Sequence, residues 1–356
     1  MLSFNGIEMA SMIFGMVVCL ISSGVLIRLF GKTTDVGIDY QRGPQKIHQG
    51  TIPRVGGLAI IFSTVLVALT FEGVLFQLSF FIILSSLPAF LAGFAEDITN
   101  KISPSVRLIF SIVSGFLFWG LTGYCITDVS VEAVKFILQV PALSVCLTVL
   151  ALATLVNAMN VIDGLNGLAG GTSVISLLAF AFLAHSAGDI VVLNICLGFV
   201  AVIIGFLVWN LPFGKIFLGD GGAYFLGISV AGMAVIVPER NSELSPFASL
   251  LIVSFPFYEL VRSTFRRLAS ADRKTFEPDD RHFHSVMFKF VSRRMNLSQT
   301  AQNSFSAMVV LMLPLCTAIW AVSFYDNRSL LAIGAVLFVL IYEIAFALLL
   351  KAERKN

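Results

Sequence analysis

Long apolar stretches alternate with short polar segments along most of the chain. Most of these stretches approach the roughly 20 residues that a helix needs to cross a bilayer. We therefore predict eleven membrane-spanning helices, at about 9–30, 56–72, 75–95, 106–126, 141–158, 167–186, 190–210, 216–238, 246–263, 305–324 and 329–350. The second stretch is short, and the ninth contains Pro256 and Glu259, which predicts a kink or a break there.

The composition changes the class of protein to be considered. Hydrophobic residues make up 57% and charged residues 12% of the 356 residues, whereas soluble domains carry roughly 25% charged residues. The apolar runs are continuous, which argues against the alternating strands of a membrane β-barrel. Disorder, a secreted disulfide scaffold and a nucleic-acid binder are also disfavoured. We predict an all-α polytopic protein with a single membrane domain over residues 1–356.

Basic residues divide unequally between the two sides of the predicted bundle. With eleven crossings, 20 of the 23 lysines and arginines fall on one side. Because positively charged loops favour the cytoplasm, the N-terminus is predicted to be periplasmic and the C-terminus cytoplasmic.

Four loops on the basic side carry acidic, amide or glycine-rich clusters at helix ends. They read GFAEDITNK from residue 93, NAMNVIDGLNGLAGG from 157, NLPFGKIFLGDGG from 210 and FEPDDRHFH from 276. Carboxylates at membrane depth are costly and usually functional, although each could instead cap a helix. Since Asp97, Asp163 and Asp220 fall on one predicted face, we favour a shared site over three separate caps.

The donor atoms of these loops indicate the ligand. Carboxylate and amide oxygens suit Mg²⁺ or Mn²⁺ better than zinc. Gly219, Gly221 and Gly222 are interpreted as allowing close backbone approach to an anion, with helix packing as the alternative. The basic residues of the last loop suit phosphate oxygens, or simply reflect the cytoplasmic charge bias. We expect a phosphate or pyrophosphate substrate on the cytoplasmic side and a second substrate that enters from lipid.

The motifs NxxNxxDGLxGL and FLGDGG, in this order and loop placement, resemble the polyprenyl-phosphate N-acetylhexosamine-1-phosphate transferase family. The resemblance runs from about Gly43 to His284. HQGTIPRVGG and PDDRHFH are more similar to the UDP-GlcNAc:undecaprenyl-phosphate GlcNAc-1-phosphate transferase branch than to the phospho-MurNAc-pentapeptide translocases.

This resemblance implies an activity and a location. A sugar-1-phosphate, GlcNAc-1-phosphate above all, would pass from a UDP-sugar to undecaprenyl phosphate, with release of UMP. Mg²⁺ would be the cofactor, with Mn²⁺ as the alternative. The product would start a lipid-linked surface glycan, such as lipopolysaccharide O-antigen or another cell-wall polymer. The protein would lie in the bacterial inner membrane, with its active site on the cytoplasmic face.

The resemblance also implies roles for particular residues. Asp220 would bind the metal, Asp97 would bind it too or accept a proton from the lipid phosphate, and Asp163 would be an essential acid. Glu96 replaces the first aspartate of the family's acidic pair, keeps its charge and would count as catalytic. Substrate would be bound by His48 or Lys46 near the site, by Asn157 and Asn160 beside the diphosphate, and by Asn210 and Phe217 at the uracil. Arg281, His282 and His284 would bind the donor phosphates, and the two histidines would also be catalytic.

One further departure from the family pattern concerns the sugar. Asn166 stands where the family's DGxDGL motif has an acid, so a hydrogen bond could survive there but a negative charge could not. The catalytic loops would be about 31–55, 95–106, 157–167, 210–221 and 264–304. An ion-coupled transporter with an acidic site is the alternative function. The prenyl length, the glycan pathway, a homodimer and a covalent aspartyl-phosphate route stay open.

Overall fold

The computed structural model describes residues 6–31, 38–39, 52–269 and 281–354. Helices dominate these residues because a backbone in lipid must satisfy its own hydrogen bonds. In chain order they are α1 (Gly6–Phe30), α2 (Gly56–Ala68), α3 (Gly73–Thr99), α4 (Pro104–Thr122), α5 (Glu132–Leu138), α6 (Pro141–Ile162), α7 (Leu168–Ser186), α8 (Ile190–Asn210), α9 (Gly219–Arg240), α10 (Pro246–Ile252), α11 (Ser254–Ala269), α12 (Phe283–Ser292), α13 (Gln299–Ser323) and α14 (Arg328–Arg354).

The prediction of an all-helical, polytopic membrane protein is confirmed. Within the described ranges, nine helices are long and apolar enough to cross a membrane, namely α1, α3, α4, α6, α7, α8, α9, α13 and α14. The predicted second span is the 13-residue helix α2, which is too short to cross a bilayer unaided. The count of eleven crossings and the orientation of the termini stay predictions.

The predicted ninth span is broken, as Pro256 suggested, into α10 and α11. The break falls at Val253. Pro256 has no N–H to donate to the carbonyl of Ile252, one turn earlier, and this missing bond weakens the helix there.

Helix α9 is the centre of the bundle. Of 18 consecutive residues in this helix, 89% are buried. The helix packs against α2, α3, α6 and α7. Such close approach depends on small residues, as is usual where membrane helices meet. A β carbon at Gly93 of α3 would lie 2.6 Å from the Gly221 nitrogen, and one at Gly57 of α2 would lie 2.5 Å from the Gly222 Cα. Gly221 and Gly222 are therefore helix-packing positions, contrary to the interpretation made from the sequence.

A small antiparallel ladder was not expected from the apolar pattern. Strand β1 (Ile38–Asp39) pairs with β2 (Ile52–Pro53), with Ile38 opposite Pro53. Phe217 continues this arrangement, because its N–H donates to the Pro53 carbonyl at 2.9 Å and its carbonyl accepts from the Gly56 N–H at 2.9 Å. These two bonds of Phe217 fix the segment before α2 against the segment before α9.

A polar network closes the opposite end of the bundle. Arg240, at the end of α9, donates to both carboxylate oxygens of Asp189 at 2.6 and 3.0 Å and to the Tyr124 hydroxyl at 2.9 Å. Glu239 accepts from the Thr127 N–H at 2.7 Å. These contacts join the loops before α5 and α8 to α9, so both ends of the central helix are held.

The glycine contact between α3 and α9 gives a testable prediction. Gly93→Ala places a methyl group against the backbone of Asp220 and Gly221, and we expect it to lower stability by about 1–3 kcal/mol through overpacking. Gly120→Ala in α4 is the control, since no atom lies within 4 Å of a β carbon there, and it should be neutral or stabilising. Thermal unfolding in detergent measures both, and equal midpoints for the two variants would contradict the packing argument.

Candidate active site

Asp97 lies near the end of α3 and caps the start of α9. Its Oδ1 accepts from the Asp220 N–H at 2.9 Å and its Oδ2 from the Gly221 N–H at 3.0 Å. Helix α9 has no side-chain cap of its own, since its N-cap residue is Leu218. The carboxylate therefore satisfies amides that would otherwise be unpaired, and it interacts favourably with the positive end of the helix dipole.

Gly219 makes this approach possible. Its φ is +78°, and a β carbon there would lie 2.6 Å from the Asp97 Oδ2. Both the left-handed backbone and the lack of space require glycine at this position.

Asp220, in the first turn of α9, accepts hydrogen bonds from three side chains on three other parts of the chain. Its Oδ1 accepts from the Arg54 Nη2 at 3.0 Å and from the Asn160 Nδ2 at 2.9 Å, and its Oδ2 accepts from the Arg107 Nη1. Arg54 Nη2 also lies 3.2 Å from the Asp97 Oδ1. One guanidinium thus bridges the two carboxylates.

Arg54 and Arg107 were not identified as site residues from the sequence, where they counted only as basic residues of the cytoplasmic loops. Burial alone lowers the pKa of Arg54, but the charges of Asp220, Asp97 and Asp163 outweigh this effect, and the net shift is upward. For Arg107 a signal existed, because it lies inside the apolar helix α4, where a charge requires a partner. For Arg54 the signal was its place in the HQGTIPRVGG motif, beside the glycine pair that opens α2.

Asp163 follows α6 directly and completes the predicted trio of acids. Loss of hydration raises its pKa well above the ordinary value; Arg54 opposes this shift, while Asp220 and Asp97 add to it. The three acids therefore act on one another at the same end of the bundle, as the sequence predicted.

Glu96 has a different environment from Asp97. Its Oε2 accepts from the Ile102 N–H at 2.6 Å, which orders the loop between α3 and α4. The two asparagines of α6 lie one turn apart: Asn160 contacts Asp220, whereas the Asn157 Nδ2 donates to the Ala153 carbonyl at 2.8 Å.

The side chain of Asn210 forms hydrogen bonds within the protein. Its Oδ1 accepts from the Gly167 N–H at 2.6 Å and its Nδ2 donates to the Ile216 carbonyl at 2.7 Å. It thereby fixes the loop on which Phe217 lies. The contacts of Asn210 and Phe217 with uracil stay predictions.

Asn166, the residue that replaces the family acid, faces α13. Its N–H donates to the Asn303 Oδ1 at 2.7 Å, and its Nδ2 lies 3.4 Å from the Ser304 Oγ. The side chain is buried, 6% exposed. A carboxylate there could not donate to Ser304, so the amide suits this neighbourhood. Its role in substrate binding stays a prediction.

His282 and His284 lie at the start of α12, and both are buried. Their rings stack in parallel with centroids 5.5 Å apart. The His284 ring packs against Gly164 of the DGL motif, where any β carbon would collide with it. The His284 Nδ1 has no hydrogen-bond partner among the described residues.

Burial lowers the pKa of His284 to about 4, and the neighbouring His282 adds to this effect. A neutral imidazole donates or accepts a hydrogen bond but carries no charge, so His284 is not a cation at neutral pH before a substrate binds. This changes the basic role expected from the sequence. Arg281 is exposed and its carbonyl accepts from the Arg266 Nη1 at 2.9 Å. His48 and Lys46 lie outside the described residues.

Comparison with known proteins decides the family. Residues 79–238 match the model of glycosyl transferase family 4. A probable undecaprenyl-phosphate N-acetylglucosaminyl 1-phosphate transferase of Bacillus subtilis is 30% identical, over 74% of this chain and 73% of the relative. The chain belongs to glycosyl transferase family 4.

Two further relatives of this family are named undecaprenyl-phosphate alpha-N-acetylglucosaminyl 1-phosphate transferase. The protein of Thermotoga maritima is 31% identical over 70% of this chain and 72% of its own length. The protein of Escherichia coli K12 is 26% identical over 73% and 72%. The family match includes Asp97, Asp163 and Asp220, whereas Arg54 and the two histidines lie outside it.

The buried, neutral His284 predicts a loss of stability in acid. An unfolded histidine binds its proton near pH 6.5, whereas the folded protein binds it near pH 4. The unfolded state therefore holds more protons between these values, and stability falls as the pH drops through this range. We expect His284→Gln to flatten that fall in thermal unfolding, and His185→Gln at the exposed end of α7 to leave it unchanged. The same pH dependence in His284→Gln as in the wild type would disprove the assignment.

Proposed function

We propose that the protein transfers GlcNAc-1-phosphate from UDP-GlcNAc to undecaprenyl phosphate and releases UMP. The observation that carries this proposal is the buried Asp97–Asp220 pair bridged by Arg54, in a chain whose relatives are named for that transfer. The reaction begins a lipid-linked glycan of the cell surface. The relatives give no support to the transporter alternative.

The transfer is a direct displacement at phosphorus. An oxygen of the lipid phosphate forms a bond to the β-phosphorus of the donor, and the bond from that phosphorus to the bridging oxygen breaks. UMP leaves with that oxygen and the electron pair. A phosphate whose second pKa is about 6 is already largely anionic at neutral pH, so positioning of the two substrates contributes more than removal of a proton.

The two arginines provide positive charge for the diphosphate of the donor. Arg54 and Arg107 direct guanidinium groups at Asp220, and a planar guanidinium also matches the oxygens of a diphosphate. Their side chains are 23% and 17% exposed, so a donor that reaches the site can contact them. His284, neutral and lying against Gly164, can donate one hydrogen bond to a donor phosphate.

The donor set fits Mg²⁺ in chemistry, since it consists of carboxylate and amide oxygens. Among the described residues, no group of three or more His, Cys, Asp or Glu side chains is arranged to hold a metal ion. Mg²⁺ usually binds through one or two carboxylates together with substrate phosphates. Asp220 would supply one of them; Asp97, the second ligand expected from the sequence, has both oxygens on the first amides of α9, so Asp163 replaces it in this proposal. A bound Mg²⁺ would neutralise charge on the diphosphate as UMP departs.

An apolar cavity suits the lipid substrate. It measures about 180 Å³, lies between α6, α9, α10 and the start of α11, and reaches Glu239 at the end of α9 opposite Asp220, so it would hold isoprene units at a distance from the phosphate. Leu152, Val235, Phe247 and Phe257 are among its lining residues, and it reaches the break at Val253. The sequence predicted a lipid groove at this break. The charge bias of the loops supports placing the site on the cytoplasmic face of the bacterial inner membrane.

Asp220→Asn tests the site itself. Loss of the charge removes the partner of both arginines and the proposed metal ligand, and we expect UMP release to fall by at least about 100-fold. Asp326→Asn is the matched control, because Asp326 is exposed between α13 and α14 and does not line the cavity. UMP release is measured with purified protein, UDP-GlcNAc and undecaprenyl phosphate; normal turnover of Asp220→Asn would exclude the proposed role.

Filling the cavity tests the lipid site. Ala234 lines the cavity. Ala234→Phe should raise the KM for undecaprenyl phosphate about tenfold, which corresponds to roughly 1.4 kcal/mol. The KM for UDP-GlcNAc should stay within twofold. Leu178→Phe, at an exposed position of α7, is the control. An effect of Ala234→Phe on the nucleotide alone would mean that the cavity does not hold the lipid.

A further inference from the structure

Glu259 of α11 is a buried acid with no role in the proposed chemistry. It is 2% exposed. Its Oε1 accepts from the Phe283 N–H at 2.9 Å, and its Oε2 lies 3.2 Å from the His282 Nδ1. One carboxylate thus holds both the backbone and the first ring of the histidine segment. Since a buried carboxylate is costly without such partners, these two bonds account for its presence in the fold.

Helix α11 is itself held firmly on another side. The Tyr258 hydroxyl and the Arg262 Nε donate to the Glu343 Oε1 of α14 at 2.9 and 2.6 Å. Phe257, on the same helix, lines the apolar cavity. Within the described residues, α11 and α12 make little backbone contact with each other. The Arg266 Nη1 of α11 also donates to the Arg281 carbonyl, but it is Glu259 that contacts a histidine ring.

The orientation of the two histidine rings follows from this contact. His282 stacks on His284, and His284 packs against Gly164 in the motif that carries Asp163. Packing on α13 and α14 would still hold helix α12 without Glu259, but the His282 ring would lose its contact with Oε2. The His284 Nδ1 has no partner of its own among the described residues. A displaced His282 would also remove the stacking surface of His284.

We propose that Glu259 is a positioning residue that joins the cavity-lining helix α11 to His282 and His284 and so sets the histidines for the donor phosphates. That the phosphates belong to a sugar donor rests on the proposed function, but the contact of Glu259 with His282 can be tested without measuring activity. Glu259 does not touch either substrate in this proposal.

The first experiment measures histidine reactivity. Purified wild-type protein and variants are treated with diethyl pyrocarbonate, and modification of each histidine is followed by peptide mass spectrometry. We expect slow modification of His282 and His284 in the wild type, at least fivefold faster modification in Glu259→Ala, and an intermediate rate in Glu259→Gln, which can still accept from the Phe283 N–H. His185 is exposed and serves as the internal standard.

Glu343→Gln is the matched control variant. It weakens the contact of α11 with Tyr258 and Arg262 but leaves the histidine contact in place. Its His282 and His284 should react as in the wild type. Equal protection of these histidines in Glu259→Ala and the wild type, or equal exposure in Glu343→Gln and Glu259→Ala, overturns the proposal.

The second experiment uses the reaction. Glu259→Gln and Glu259→Ala should raise the KM for UDP-GlcNAc by about threefold and at least tenfold, respectively, while the KM for undecaprenyl phosphate stays within twofold. A loss of kcat with both KM values unchanged would contradict the positioning role. If the wild type releases no UMP at all, the proposed function fails, and the reactivity of the histidines still decides whether Glu259 positions them.

Discussion

The buried carboxylate of Asp97 is the constraint on which the rest of this structure depends. It comes from α3 and satisfies the first amides of α9, a helix that does not cap itself. The positive end of the helix dipole and the Arg54 guanidinium make this buried charge tolerable. Because the cap comes from another helix, it also determines where Asp220 lies relative to Asp97.

The same contact explains the small residues around it. Helices α2, α3 and α9 approach closely only because Gly57, Gly93 and Gly222 have no side chains, and Gly219 has the backbone conformation that lets Asp97 reach the amides. Packing and electrostatics therefore act together at one place. A larger residue in this contact would move the carboxylates as well as the helices.

The pattern of apolar residues was sufficient for the helical class, for most of the membrane helices and for a break in the ninth span. The convergence of Asp97, Asp163 and Asp220 could also be predicted, because charged groups at apolar helix ends require a shared environment. The pairing of Arg54 and Arg107 with Asp220 could not, since their partners are 166 and 113 residues away along the chain. Helix α12 and the short ladder of β1 and β2 escaped prediction because both are too short to show a period. Gly221 and Gly222 were assigned to a ligand because a glycine pair looks the same in sequence whether it faces an anion or another helix.

The apolar cavity at the α10–α11 break has a consequence for the length of an acceptor. With a volume of about 180 Å³, it encloses only a small part of a long polyprenyl chain. The remaining isoprene units would stay among the acyl chains of the surrounding bilayer, where they are as favourably solvated as inside the protein. Because the cavity reaches Glu239, at the end of α9 away from Asp220, an acceptor must be long enough to place isoprene units there, and any length beyond that adds no contact with the cavity.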